Sequence, residues 1–276
     1  MPEKTLYIEI FQPFAQYRNP FTFYYAQTYP LPPKSTIIGM LQNATNRYYD
    51  KDFWSLKISI HGGFESYFWN YQQLIKGDIG LKIRGNKPEL WNQKRPLYGS
   101  ILKSQRTPVH QQELFNGRLF LFIKSNAGLI EEIKESVEKP KKILSLGRSE
   151  DIIFIKDVKE LGRNEIEEKE VKKNIWMTYP TYILKTYGKG ENKESFPIRN
   201  KRFPVYSIPT KVIFKNNNVP VKNKAEITKN TKRETDFETV IHVAYNSTIY
   251  LEKTINIDKI KVNKKTFKIV QKWGWL

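Results

Sequence analysis

The chain has 276 residues, 39% of them hydrophobic, and 47 Lys and Arg against 28 Asp and Glu, a formal net charge of +19. There is enough apolar material for a real core, and the positive surplus exceeds what solubility requires, so a polyanionic partner is the first expectation. The absence of cysteine excludes disulfides, thiolate zinc sites, iron–sulfur clusters and a cysteine nucleophile, and with no long apolar run and no basic amphipathic helix, nucleic acid leads over a membrane surface.

In chain order, Leu6, Ile8 and Ile10 alternate with Thr5, Tyr7 and Glu9, the period of a strand with one buried face. The segment 17–41, YRNPFTFYYAQTYPLPPKSTIIGML, then combines cations and rings with a Pro32-Pro33 stop. Ser35 or Thr36 stands where it could cap a helix over about 36–49, with Ile37, Met40, Leu41 and Ala44 at helical spacing. A helix N-terminus attracts anions, so Tyr17, Arg18, Lys34, Ser35 and Thr36 are candidates for contacting a nucleic-acid backbone, with Phe23 and Tyr24 as further stacking surfaces. The plain alternative is a strand–turn–helix junction whose rings pack in the core.

Leu56, Ile58 and Ile60 predict a second strand, which turns His61 to the face opposite its core residues. Residues 62–117 are rich in Gly, Asn, Gln, Lys and aromatics, with weak hydrophobic periodicity. A connection of this length is functional or disordered. Trp69, Tyr71, Arg84, Trp91, Lys94, Arg95 and Arg106 favour a projecting, basic hairpin. A third strand over 118–124, an amphipathic helix carrying Leu129, Ile130, Ile133 and Val137, and a fourth strand over 152–158 follow. This order is the α+β, ferredoxin-like (split βαβ) arrangement also used by RNA-recognition modules. Residues 159–173 read as a charged linker or solvated helix, and the strand-rich remainder as a smaller C-terminal β-rich domain. The expected division is 1–160, with the insertion at about 62–117, and 174–276.

Sixteen Tyr, sixteen Phe and six Trp beside so many cations favour a single strand over a duplex, although most of these rings belong to the core in any globular protein. No phosphate-cradling Gly-Lys-Ser/Thr loop and no dinucleotide fingerprint is present, and His61, His110 and His242 are too scattered to suggest a metal site. A metal-free ribonuclease would need only a base, an acid and a cation, which His110, Tyr48 or Tyr49, and Lys103 or Arg106 could supply. A single histidine is more often structural than catalytic. The turn SLGRSED, 145–151, could offer Arg148, Ser149 and backbone N–H groups to a phosphate, or be a plain αβ turn.

Pro32-Pro33-Lys34-Ser35-Thr36 followed by Ile37-Ile38-Gly39-Met40-Leu41, and the later run Leu144-Ser145-Leu146-Gly147-Arg148-Ser149-Glu150-Asp151, resemble CRISPR-associated protein family five, the crRNA 5′-handle-binding subunit of type I Cascade. The resemblance spans most of residues 1–158. It implies a RAMP-type ferredoxin-like domain whose β-hairpin thumb is the 62–117 insertion, capping the 5′ handle of crRNA. It also implies the Cascade backbone subunits and a PAM-reading large subunit as neighbours, which brings target DNA close. On this reading Tyr17, Arg18, Lys34, Ser35 and Thr36 face the handle, Arg148 and Ser149 a flanking phosphate, and Arg84, Lys103 and Arg106 sit on the thumb. The type I-C branch is a metal-independent endoribonuclease using Tyr, Lys and His. Here Tyr48 or Tyr49 matches the tyrosine, but Val109 precedes His110, so the adjacent Lys-His pair is missing and the chain looks closer to the non-catalytic, type I-B-like members. No metal or cofactor is expected, and an N-terminus without an apolar signal region is read as cytoplasmic.

Overall fold

The structure, a computed structural model, describes residues 3–22, 25–77, 83–84, 87–88, 104–188, 190–199, 202–228 and 230–276. The first strand, β1 (Glu3–Ala15), buries Leu6, Ile8 and Ile10 on one face and Tyr7 and Glu9 on the other, because it is covered on both sides. A two-residue strand, β2 (Tyr25–Ala26), precedes the helix α1 (Lys34–Thr45). Pro33 is the N-cap of α1 and no side chain caps it, so the expected capping by Ser35 or Thr36 is corrected. Both lie inside the first turn, since the fixed φ of Pro33 already aims the chain into a helix. The helix also stops before 49, because Asn46 turns left-handed and the Arg47 N–H closes back on the Gln42 carbonyl.

The insertion read as a projecting hairpin does start as one, and what differs is how far its strands reach. The strands β3 (Lys57–Gly77) and β4 (Ser104–Asn126) continue far into it as one antiparallel ribbon, paired from Lys57–Lys124 to Gly77–Ser104. Asn126 then caps α2 (Ala127–Glu138) by accepting the Leu129 N–H at 3.0 Å, and β5 (Phe154–Leu161) follows. Residues 159–173 are neither a linker nor a solvated α-helix. They hold the end of β5, a single 3-10 turn (Arg163–Glu165) and the strand β6 (Ile166–Val171), whose central Glu and Lys side chains are exposed. The remaining principal strands are β7 (Asn174–Met177), β8 (Thr181–Leu184), β9 (Val205–Asn216), β10 (Lys232–Val243), β11 (Ser247–Tyr250), β12 (Ile255–Val262) and β13 (Lys265–Val270).

The main sheet runs β9-β10-β8-β3-β4-β1-β5, with β2 beside β4. The strands β3, β4, β1 and β5 pair antiparallel with one another. Their Leu6/Ile8/Ile10 face joins Ile37 and Leu41 of α1 and Ile130 and Ile133 of α2 in one core, which continues into Ile183 and Val240. Their Tyr7 face joins Phe120 and Phe122 to Ile260 and Phe267 of the β12–β13 hairpin. Burial of this kind stabilises by about 25 cal/mol per Å² of apolar surface. The chain end is tied in as well, the Leu276 N–H donating to the Ile58 carbonyl at 2.9 Å. Among the described residues no helix is long and apolar enough to cross a membrane, and no group of three or more His, Asp or Glu is placed to hold a metal ion.

Candidate nucleic-acid interface

Up to Phe64 the ribbon is packed on both faces, and beyond Ser66 its rings emerge. Side chains two apart on a strand share a face, so Tyr67, Trp69 and Tyr71 line up, in register with Leu114, Gln112 and His110 of β4. β2 lies parallel to β4 and sets Tyr25 opposite His110. The Tyr25 ring stacks on His110 at 5.3 Å and 11°, Trp69 meets Tyr25 edge-on at 6.2 Å, and Tyr71 tilts against His110 at 5.3 Å. Tyr25, Trp69 and Tyr71 are 63%, 45% and 55% exposed, so they support one another without being covered. On the other face Phe14, Phe68 and Phe115 form a smaller exposed cluster, with Phe14 and Phe115 5.2 Å apart. Such a ladder is a stacking surface for unpaired bases, worth roughly 1–3 kcal/mol per base.

The loop 17–29 is closed by hydrogen bonds from the Tyr29 N–H to the Tyr17 carbonyl and from the Asn19 N–H to the Gln27 carbonyl, both 2.8 Å. This corrects the expectation for Tyr17. Its ring is 2% exposed and its hydroxyl donates to the Gln12 side chain, so it anchors the loop and offers no stacking face. Arg18 is exposed, in a backbone bridge to Thr28. Lys34 is buried with no ion pair among the described residues, and desolvation lowers its pKa to about 8 despite the attraction of Glu238. Ser35 and Thr36 are half-buried, and their hydroxyls have no hydrogen-bond partner among the described residues. Both line a cavity of 440 Å³ to which Ser145 and Gly147 also contribute, so the helix start and the Gly147 turn do converge.

Arg148 is not available as a phosphate ligand, which corrects the sequence reading. Its Nη2 lies 2.8 Å from Asp151 Oδ1 and its Nη1 3.1 Å from Glu113 Oε1, with Asp151 only 1% exposed. Burial alone would disfavour the charge, but these carboxylates override it and hold the guanidinium above its usual range. Gly147 belongs to the same latch. Its φ is +114°, and a Cβ there would stand 2.8 Å from Asp151 Oδ2, so only glycine lets Asp151 receive the Arg148 and Gln16 N–H groups. Ser149 is exposed but donates to Glu150, whose charge opposes a phosphate.

Among the described residues, the ribonuclease candidates Tyr48 and His110 have separate partners. Tyr48 donates to Asn43 at 2.7 Å and accepts from Lys142 at 3.1 Å, whereas His110 lies between Tyr25 and Tyr71 on the ribbon. Lys103 lies outside the described residues, as do Phe23, Tyr24, Trp91, Lys94 and Arg95. Arg106 stands opposite Ile75 in the ribbon register, and Arg84 opposite Lys87 in a separate short pair. His61 meets the second layer and is buried against Phe122 and Phe267, where desolvation lowers its pKa to about 3. His242 lies between the rings of Tyr182 and Tyr206, and desolvation lowers its pKa to about 4. Tyr25 was missed by the sequence reading, since only its pairing with His110 across the β2–β4 register distinguishes it from neighbouring rings.

A family model described as CRISPR-associated protein (Cas_Cas5) matches residues 5–242. Among solved structures the chain is similar to one described as a CRISPR RNA-guided surveillance complex, at 11% identity over 90% of both chains and a TM-score of 0.47. It is also similar to a CRISPR protein from Archaeoglobus fulgidus, at 10% identity over 96% of this chain and 98% of that one, with a TM-score of 0.38. A solved Cas protein matches at 17% identity and a TM-score of 0.34, and there the match covers 54% of this chain and 58% of the other. No curated protein sequence matches.

Proposed function

The chain belongs to the CRISPR-associated protein (Cas_Cas5) family, and from that premise we propose that it is a non-catalytic RNA-binding subunit of a type I surveillance complex, Cascade, capping the 5′ handle of crRNA in the cytoplasm. The observation that carries this reading is the exposed ladder of Tyr25, Trp69 and Tyr71 around half-buried His110, on a hydrogen-bonded ribbon of a chain with net charge +19. Rigid rings bind bases whatever their sequence, and a surplus of positive charge favours the phosphate backbone. We take β1-α1-β3-β4-α2-β5 as the ferredoxin-like unit and the outer ribbon as its thumb, with Arg84, Lys103 and Arg106 as thumb cations. Arg18, Lys34, Ser35 and Thr36 are the handle-side residues on this reading, and the backbone and large Cascade subunits, with target DNA near the PAM, are the neighbours. The ribonuclease alternative has no geometric support, since Tyr48 and His110 are engaged with different partners.

The test is competition between repeat-derived handle RNA and a scrambled RNA for the purified full-length chain. Tighter binding to the handle, with affinity falling steeply as salt rises, is the expected result. Equal affinity for the two RNAs would overturn handle recognition. Cleavage of labelled repeat RNA in EDTA would overturn the non-catalytic assignment.

A further inference from the structure

Neither the aromatic ribbon nor the Arg148 latch explains the 440 Å³ cavity between α1, the loop after it and the β9–β10 pair. Its volume falls within the roughly 300–1,000 Å³ typical of small-ligand sites. Three of its walls are rings: Tyr49, Trp54 and Phe214, with Tyr49 edge-on to Phe214 at 5.5 Å. Lys211 caps the Trp54 ring at 4.6 Å. Arg233 also lines the cavity, opposite Phe214 in register, exposed and without an ion pair among the described residues. The adjacent acid, Glu234, is taken by Lys215.

Two backbone observations indicate that this space is maintained. Gly39 sits mid-helix on the cavity wall, where glycine costs about 1 kcal/mol relative to alanine. A Cβ there would meet no atom within 4 Å, so no close approach accounts for the glycine, and it leaves the wall bare. Tyr49 holds a positive φ of 63°, a conformation that costs a bulky residue of order 1–3 kcal/mol and collects at binding sites. An apolar anchor from a partner protein would need the rings but not the unpartnered hydroxyls of Ser35 and Thr36 beside a cation. A nucleotide uses all three.

We propose that this cavity takes one unstacked nucleotide of the bound RNA, its base between Tyr49, Trp54 and Phe214, its polar edge at Ser35 and Thr36, and its phosphate at Arg233. The inference rests on the RNA-binding reading above. It adds a second base site, separate from the ribbon, built by α1 together with the β9–β10 pair.

The experiment uses the full chain and repeat-derived RNA carrying 5-iodouridine at successive positions, with crosslinks mapped by mass spectrometry and affinity measured in parallel. The expected result is one RNA position crosslinking to Tyr49, Trp54 or Phe214. Gly39→Ala and Gly39→Leu should weaken affinity in order of added volume, the latter roughly 10-fold or more, while crosslinks to Trp69 and Tyr71 persist. Arg233→Glu, on an exposed position, should weaken binding even if Gly39→Leu fails to fold. RNA bound and crosslinked on the ribbon alone, with Gly39→Leu and Arg233→Glu neutral, would overturn the cavity assignment and leave the RNA-binding reading intact. No RNA binding by the unaltered chain would overturn both.

Discussion

The outer ribbon and the Gly147 turn both look like nucleic-acid contacts in one dimension, one rich in rings and the other carrying Gly-Arg-Ser. In three dimensions they are opposites. The ribbon leaves Tyr25, Trp69 and Tyr71 open to solvent on a fixed ladder, so their faces remain for a ligand. The turn uses up its cation internally, with Asp151 and Glu113 holding Arg148 on two sides. A functional group advertises a ligand only when the protein itself has not satisfied it.

Arg148→Ala should have the largest effect. It strands Asp151, 1% exposed, and Glu113 without their counter-ion, so we expect a loss on the order of 3–5 kcal/mol in urea denaturation. The RNA affinity of the folded protein should stay within about twofold. An unchanged stability with weaker RNA binding and a salt slope reduced by about one would return Arg148 to the phosphate ligands.

Lys34 tests the intermediate case, a buried cation with no ion-pair partner among the described residues. Its folded pKa of about 8 lies below its ordinary value of 10.5, so between these values the unfolded chain binds the proton and the folded chain does not. Stability therefore rises with pH across that window, and below about pH 8 the full cost is present. Lys34→Met should stabilise the protein at pH 7 by up to about 3 kcal/mol and weaken RNA binding if the ammonium serves a phosphate. A destabilised Lys34→Met would mean the ammonium is well solvated after all.

What the sequence made legible follows burial. β1 and α2 were found because one face is apolar with a clean period, as in Leu6/Ile8/Ile10 and Leu129/Ile130/Ile133. The outer ribbon reads as a hairpin from its composition, but the extent of its strands does not, because rings point to both faces, Tyr67, Trp69 and Tyr71 on one and Phe68 on the other, so no hydrophobic alternation survives. β6 reads as a charged linker or solvated helix because Glu167, Glu168, Lys169 and Glu170 are exposed and it contributes little to the core. The Arg148 latch depends on Glu113, 35 residues away, and such pairings leave no local trace.

Trp69→Ala is the corresponding test of the ribbon. It removes a stacking face from an exposed position, so RNA affinity should fall by roughly 1–3 kcal/mol with the salt slope unchanged. Fold stability should stay within about 0.5 kcal/mol. The effect should be largest for unpaired RNA and small for a duplex, measured by competition. A loss of stability in place of affinity would make Trp69 a packing residue and remove the contrast with the turn.

The smallest effect per unit separates two histidines on the same ribbon. His61 is buried with its pKa lowered from 6.5 to about 3, whereas His110 stands between exposed rings. As pH falls from about 6.5 the unfolded chain protonates at position 61 and the folded chain does not, so stability is lost down to about pH 3. The limiting slope is about 1.4 kcal/mol per pH unit, and His242, lowered to about 4, adds a similar slope over most of that range. His61→Gln, which can keep a hydrogen bond to Ser59, should roughly halve the fall of the urea midpoint between pH 6.5 and 5, His242 supplying the rest, above the range where carboxylates titrate. His110→Gln should leave that profile in place and alter RNA affinity instead, because its ring is a stacking partner and not part of the core. If His110→Gln flattens the stability profile as much as His61→Gln does, the ribbon's rings are structural, and the distinction between satisfied and available groups fails where it matters most.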